Sequence, residues 1–406
     1  MIPRTLYRLA WQELAADKAM TLLAGPRQVG KTTLAKMIVG QFTNHVYCNW
    51  DVMTDRTRML DDPYFFALVE RSDPSPPLVV FDEIHKYPTW KNYLKGVYDR
   101  FHEDFQFLVT GSGRLDTYRK GGDSLAGRYS LLHLWPLTLA ELLERRVTVD
   151  EFRRRPLDIV EDKDGAARRA WLRLSQFSGF PEPYSRANAD AYRRWSATYH
   201  SQLIREDIRD LTGITLLAQV ETLFQLLPQR VGSLLSAGSL GEALGVSYNT
   251  VRSWLGVLES FYLTFSIGPW TRGLTRATQK ARKTYLFDYT LIDDPAARFE
   301  NMIAVELFRA VRMWNDMGRG SFSLHFVRNR EGQEVDFLIA EKRRPLLLVE
   351  AKAADTQIAP ALKLFQNQLQ VPAVQLLAEG ETFRRVPNGD QNILVTPVHL
   401  WVPRLA

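Results

Sequence analysis

Gly25-Pro26-Arg27-Gln28-Val29-Gly30-Lys31-Thr32 fits the spacing G-x-x-x-x-G-K-[ST] at every fixed position. Glycines at 25 and 30 let successive backbone N–H groups turn toward phosphate oxygens, and a helix starting at Lys31 adds its positive end. Lys31 then reaches the β- and γ-phosphates, the Thr32 hydroxyl sits on Mg²⁺, and Thr33 extends the binding segment. In Leu78-Val79-Val80-Phe81-Asp82-Glu83 an apolar run carries two acids to its tip. Asp82 is placed to hold the hydrated Mg²⁺, and Glu83 to polarise an attacking water. The run Phe105 to Val109 ends in Thr110-Gly111-Ser112-Gly113-Arg114. A hydroxyl there can orient the water; Ser112 is the choice and Thr110 the alternative. Arg128 follows a Gly-rich loop, Ser124-Leu-Ala-Gly-Arg128-Tyr, and suits a residue reaching a neighbouring subunit's γ-phosphate. Arg114 is the alternative for that role, and a structural arginine is the other reading of Arg128. The expected catalytic set is Lys31, Asp82, Glu83, Ser112 and Arg128.

These residues need a scaffold that aligns strand ends. An amphipathic stretch Tyr7 to Ala15, an apolar run Met20 to Ala24, a helix from Lys31 to about Gly40, and runs at His45 to Cys48, Leu78 to Phe81 and Phe105 to Val109 supply one. Short apolar runs alternating with helical stretches predict a parallel sheet covered on both faces. Around Arg145 to Arg173 the chain becomes charge-rich and turn-prone, which marks a boundary, and Ala170 to Phe265 has helical periodicity.

That helical region closes on Ser239 to Leu258, two apolar helical patterns separated by Gly245-Val246-Ser247. Ser239 can cap the first and Ser247 the second, giving helix-turn-helix spacing with Tyr248, Asn249 and Arg252 exposed for base or phosphate contacts. A packing or protein-contact role is the alternative. Just after it, Thr271 to Lys283 holds Arg272, Arg276, Lys280, Arg282 and Lys283 with no acid, and Arg186 to Lys283 holds 12 basic against 7 acidic residues. Such clustering beside a helix-turn-helix is the footprint of phosphate-backbone binding, so DNA is the expected partner.

From about Pro295 the pattern is a helix, Phe299 to Trp314, then strands Phe322 to Arg328, Glu334 to Ala340 and Leu346 to Ala351 joined by turn residues, a helix Gln357 to Gln370 and a final strand. The order resembles the PD-(D/E)xK restriction-endonuclease-like core. Asp336 stands on the second strand, and Glu350 and Lys352 share one face of the third because strand side chains alternate. Two converging carboxylates suit Mg²⁺, with Lys352 positioning water or stabilising the phosphorane. Glu300 on the preceding helix could add a ligand, and Glu334 shares the face of Asp336. Val335 stands where the pattern has proline. A catalytic and a purely DNA-binding or structural use of this core both stay open.

Gly25 to Thr33, Val79 to Glu83, Leu108 to Ser112 and Leu125-Ala-Gly-Arg-Tyr129 resemble the AAA+ core of a bacterial and archaeal ATPase family with a C-terminal DUF4143 region. Phe177-Ser-Gly-Phe-Pro-Glu182, Tyr285-Leu-Phe-Asp288, Gly332-Gln-Glu-Val-Asp336 and Val349-Glu-Ala-Lys352 are similar to its second half. The resemblance implies an AAA+ fold, ATP and Mg²⁺ as cofactors, and a homo-oligomer, a ring such as a hexamer.

The expected fold class is α/β, in three parts. These are an N-terminal P-loop AAA+ ATPase domain (1–150), a central helical and winged-helix region (151–290) and a C-terminal restriction-endonuclease-like α/β domain (291–406). Composition agrees with an ordinary soluble protein, at 24% charged and 45% hydrophobic residues. A single cysteine, Cys48, excludes disulfide scaffolds and Cys-based zinc clusters and suits a reducing compartment. The nearest approach to a membrane span, Leu131 to Leu143, is short and interrupted by His133, Pro136 and Glu141, so no membrane partner and a cytoplasmic location are expected. The functional expectation is ATP hydrolysis coupled to DNA binding and remodelling or translocation, of a recombination or repair type. A Mg²⁺-dependent, ATP-gated nuclease and a nucleotide switch that assembles protein partners without DNA are the alternatives.

Overall fold

The computed structural model describes residues 2–111, 125–209, 213–271, 281–354 and 357–405. Two compact units divide the chain, Met1–Pro136 and Leu137–Ala406.

The first unit contains α1 (Thr5–Asp17), β1 (Met20–Ala24), α2 (Lys31–Val39), β2 (His45–Asn49), α3 (Met53–Asp61), β3 (Leu78–Asp82), α4 (Trp90–Phe101), β4 (Gln106–Thr110) and β5 (Ser130–His133). Five strands pair in the order β2-β3-β4-β1-β5, all parallel. Every residue of β1 and β3 is buried, as strands covered on both faces require. Phe66 packs edge-on against Phe81, Phe101, Phe105 and Phe107, filling one face of the sheet with rings. Because β4 lies between β1 and β3, the phosphate loop after β1, the acids after β3 and Thr110 at the end of β4 all emerge at one edge. β5 was not among the expected strands.

The helical part of the second unit includes α5 (Ala166–Phe177), α6 (Ala189–Gln202), α7 (Leu217–Leu226), α8 (Ala237–Leu244) and α9 (Tyr248–Ser260). Ser236, not Ser239, caps α8, accepting from the Ser239 N–H, which places Ser239 inside the first turn. Ser247 caps α9 as expected, accepting from the Thr250 N–H. Between them Gly245 takes φ 66°, a conformation suited to glycine at a helix C-terminus. Gly241 is also required, since a Cβ there would stand 2.7 Å from the Val246 carbonyl oxygen.

Strands β6 (Thr264–Pro269) and β7 (Lys283–Leu286) follow as an antiparallel pair, then α10 (Pro295–Asp316), β8 (Phe322–Arg328), β9 (Glu334–Glu341), β10 (Arg344–Lys352), α11 (Pro360–Leu369), β11 (Ala373–Leu377), β12 (Arg384–Asn388) and β13 (Gln391–Pro397). β8, β9 and β10 form the expected antiparallel meander, and three strands rather than one complete the sheet. Its order is β12-β13-β11-β10-β9-β8-β6-β7. The expected boundary at 290 is therefore not a boundary of packing, because β6 pairs with β8 through Gly268↔His325 and Pro269↔Phe326. Likewise the first unit closes at Pro136 rather than near 150.

Candidate functional site

The loop after β1 holds its shape through left-handed backbone at Gly25 (φ 143°), Gln28 (φ 58°) and Gly30 (φ 95°). At Gly25 no other residue fits, because a Cβ would lie 2.1 Å from the Leu134 carbonyl oxygen. Lys31 opens α2, and its Nζ donates to the carbonyl oxygens of Gly25 (3.0 Å) and Pro26 (2.7 Å). Burial pushes that ammonium down to about 8 against the partial support of Glu83. Among the described residues its hydrogen-bond partners are these two carbonyls, neutral acceptors that phosphate oxygens can replace.

Asp82, at the end of β3, is 1% exposed and receives four donors. Thr32 Oγ1 donates to its Oδ2 at 2.9 Å, the Tyr47 hydroxyl to Oδ2 at 2.6 Å and Asn49 Nδ2 to Oδ2 at 3.3 Å, while the Thr110 hydroxyl donates to Oδ1. Register makes this possible: β2 and β3 align Asn49 with Asp82, so side chains from both neighbouring strands reach one carboxylate. Burial pushes the Tyr47 phenol up, and the Asp82 carboxylate adds to it, so this hydroxyl stays a donor. Glu83 takes a left-handed backbone (φ 57°), its N–H donates to Thr110 Oγ1 at 3.3 Å, and His85 Nδ1 and Lys86 Nζ lie 3.7 and 3.8 Å from its Oε2. The carboxylate of Asp82 and the hydroxyl of Thr32, joined at the loop's mouth, are a hard-oxygen donor pair of the kind Mg²⁺ takes.

Arg128 lies elsewhere. Thr21 pairs with Ser130, so Arg128 precedes the start of β5, at the edge opposite the phosphate loop. Five residues of strand, about 3.3 Å each, separate the two edges by roughly 15 Å. There its Nε and Nη2 donate to Asp99 Oδ1 (2.6 Å) and Oδ2 (3.2 Å) near the end of α4. Ser112 and Arg114 fall outside the described residues.

In the second unit, Val251, Trp254 and Leu258 bury one face of α9. Tyr248, Asn249 and Arg252 are exposed on the other, the Arg252 guanidinium 5.7 Å from the Tyr248 ring centroid. β6 and β7 form a hairpin beside this helix pair, the arrangement of a winged helix. The connection between them carries Arg272, Arg276 and Lys280, which lie outside the described residues. Arg282 is exposed and donates through Nη2 to the Ser266 carbonyl oxygen at 2.7 Å.

Lys283 corrects an expectation. Rather than facing DNA, it is 1% exposed, and its Nζ lies 2.7 Å from Glu334 Oε1, 3.2 Å from Glu300 Oε1 and 3.6 Å from Asp336 Oδ1. Burial works against this ammonium, but the three carboxylates outweigh it and hold its pKa up. Glu300, Asp336, Glu350 and Lys352 do converge. Asp336 Oδ2 accepts from the Ala351 N–H at 3.0 Å, the Asp336 N–H donates to Glu350 Oε2 at 3.4 Å, and Lys352 Nζ lies 2.8 Å from Glu350 Oε1. Burial and then the Asp336 charge push the Glu300 and Glu350 carboxyls up. Among the described residues no group of three or more His, Cys, Asp and Glu side chains is arranged to hold a metal ion.

With this geometry in hand, residues 17–143 match the AAA domain family and residues 296–401 match the domain of unknown function DUF4143. The chain thus carries an AAA domain and a C-terminal DUF4143 region. Between them, residues 168–294 match another domain of unknown function, DUF8612. The family limit between 294 and 296 falls at the start of α10, although the sheet runs across it. An uncharacterized protein of Mycobacterium tuberculosis, Rv2008c, is 24% identical over 390 residues, covering 93% of this chain and 79% of that protein. An uncharacterized protein of Mycobacterium bovis, Mb2031c, matches with the same identity and coverage. Among solved structures, the Walker-type ATPase paby2304 of Pyrococcus abyssi is similar at 14% identity and a TM-score of 0.43, covering 72% of this chain and 95% of that one. The Orc1 protein of Aeropyrum pernix in complex with DNA is similar at 14% identity and a TM-score of 0.33, with 75% and 93% covered. Among the described residues no helix is long and apolar enough to cross a membrane.

Three side chains around the AAA site went unread as partners of Asp82 in the sequence: Tyr47 and Asn49 entirely, and Thr110, which stood only as the alternative to Ser112. The polar alternation of His45-Val-Tyr-Cys-Asn49 was the available signal, since Tyr47 and Asn49 share one face of β2.

Proposed function

We propose that this AAA-domain protein is a Mg²⁺-dependent ATP hydrolase whose turnover is coupled to DNA bound by its winged helix. The observation that carries the hydrolase reading is the buried Asp82 carboxylate, hydrogen-bonded to Thr32 of the phosphate loop with Glu83 directly beside it. Asp82 and Thr32 would hold Mg²⁺, which when bound neutralises charge on the phosphates. Lys31 exchanges its two carbonyl partners for phosphate oxygens. Glu83, held by Thr110 at its N–H, orients the water and takes its proton. Arg128, on the far edge of its own sheet, can reach a γ-phosphate only in another copy, so this role requires a homo-oligomer such as a ring.

The DNA part rests on α9, whose exposed face carries Tyr248, Asn249 and Arg252, beside a hairpin whose connection is basic and free of acids. Phosphate binding by such a surface is salt-dependent. ATP turnover is therefore measured with and without duplex and branched DNA at low and high salt. Stimulation by DNA that fades as salt rises is the expected result. A rate indifferent to every DNA, together with no gel shift at low salt, removes the coupling and leaves a nucleotide switch for protein partners.

A further inference from the structure

The resemblance to a restriction-endonuclease-like core implies a divalent cation among Glu300, Asp336 and Glu350, and the residues present do not fit one. Lys283 Nζ stands where the carboxylates converge, within 3.6 Å of oxygens from Glu300, Glu334 and Asp336. A hard divalent cation needs its oxygens at about 2.0–2.6 Å, in the same space the ammonium fills. Several of these carboxylates have further partners as well. Glu300 Oε1 also accepts from the Tyr285 hydroxyl at 2.8 Å, Glu334 Oε2 pairs with Arg328 Nη1 at 3.1 Å, and Asp336 Oδ2 accepts from a backbone N–H. Glu350 turns one oxygen to Lys352 and the other to the Asp336 N–H.

Topology makes this arrangement intrinsic to the fold. Lys283 is the first residue of β7, a strand of the winged-helix hairpin, and the shared sheet brings that strand to β8 and β9 through β6. Tyr285, two residues on, points to the same face and reaches Glu300. We infer that Lys283 is a built-in counterion which closes the C-terminal carboxylate cluster to divalent cations and replaces the metal centre of a nuclease. The DUF4143 region then handles DNA or a partner without cutting a phosphodiester bond. The ammonium's covalent tether gives it an effective concentration that a free ion does not match.

This inference concerns the second unit alone, so its failure leaves the ATP hydrolase reading untouched. The test uses the full chain without nucleotide, dialysed against EDTA, and follows Mn²⁺ binding by loss of the free-ion electron paramagnetic resonance signal. The parent and Asp336→Asn should bind Mn²⁺ equally weakly, and the parent's thermal midpoint should be the same in Mn²⁺ and in EDTA. Lys283→Met removes the charge and keeps the stem. It should bind one Mn²⁺ at least about tenfold more tightly than the parent, and should lose that site again in Lys283→Met/Asp336→Asn. Asp336-dependent Mn²⁺ binding by the parent overturns the inference, as does a folded Lys283→Met chain that binds none. If Lys283→Met folds only in Mn²⁺, the ion has taken the lysine's place, which supports it. If that variant folds in neither condition, the parent compared with Asp336→Asn decides.

Discussion

Tyr47→Phe isolates the support that β2 gives to the Asp82 carboxylate. The substitution removes one hydroxyl and keeps the ring, so packing on β2 is preserved and the loss is a single hydrogen bond to a carboxylate at 2.6 Å. Hydrogen bonds to charged groups contribute about 1.5–3 kcal/mol. The low end applies here, because Oδ2 of Asp82 still accepts from Thr32 and Asn49 and is not left bare. About 1.5 kcal/mol corresponds to a fall of roughly 5 °C in the thermal midpoint of a unit this size. The larger consequence is for Mg²⁺. Three donors instead of four leave the carboxylate freer to rotate, and the same 1.5 kcal/mol, where it falls on the metal-holding orientation, raises the Mg²⁺ concentration needed for half-maximal ATP turnover by about tenfold. Scanning calorimetry gives the first quantity and ATPase rate against Mg²⁺ concentration the second. A Tyr47→Phe chain with both values unchanged would refute the claim that the Tyr47 hydroxyl organises Asp82.

Two further expectations concern the same site. Burial lowers the Lys31 pKa to about 8 from 10.5, so below pH 8 the ammonium is present whether the chain is folded or not and its burial cost is fully felt. Between those values the folded chain loses the proton first, so stability from this residue rises with pH through that window, and Lys31→Met should abolish the rise. Polyphosphate favours the ammonium, so nucleotide affinity should be level below pH 8 and fall toward about tenfold per unit above it, as fluorescent nucleotide titrations would measure. Glu83→Gln should leave nucleotide binding unchanged and cut hydrolysis by about 10²–10⁴-fold; a variant that hydrolyses ATP at the parent rate moves the base to another residue.

The nucleotide site was legible because its requirements are local. A glycine must stand where Gly25 approaches Leu134, a lysine must open the helix, and an acid must end an apolar strand, and each requirement leaves a fixed residue at a fixed spacing. The strands β1, β3 and β4 were equally readable, since apolar runs bounded by turn residues admit few alternatives. What escaped was lateral. Tyr47 and Asn49 serve Asp82 only because β2 and β3 happen to be neighbours in register, and nothing in the spacing along the chain encodes that pairing. β5 was masked for a related reason: Ser130–His133 is a short strand at the sheet edge, inside an apolar stretch that runs on past Pro136.

Lys283 carries the same lesson to a functional conclusion. At the end of a run of five basic residues without an acid, it has the composition of a phosphate contact, and composition alone assigns it to DNA with its neighbours. Strand pairing separates it from Arg282, which stays exposed, while the next residue turns inward at the start of β7 and meets three carboxylates from α10 and β9. The division falls at the strand's first residue, since all four residues of β7 are buried while Arg282 just before it is not. The hairpin therefore turns Lys283 inward, where it neutralises the carboxylate cluster. The continuity of the sheet across position 290 ties the winged helix to the core beyond it, and makes the charge state of that core depend on a residue the winged helix supplies.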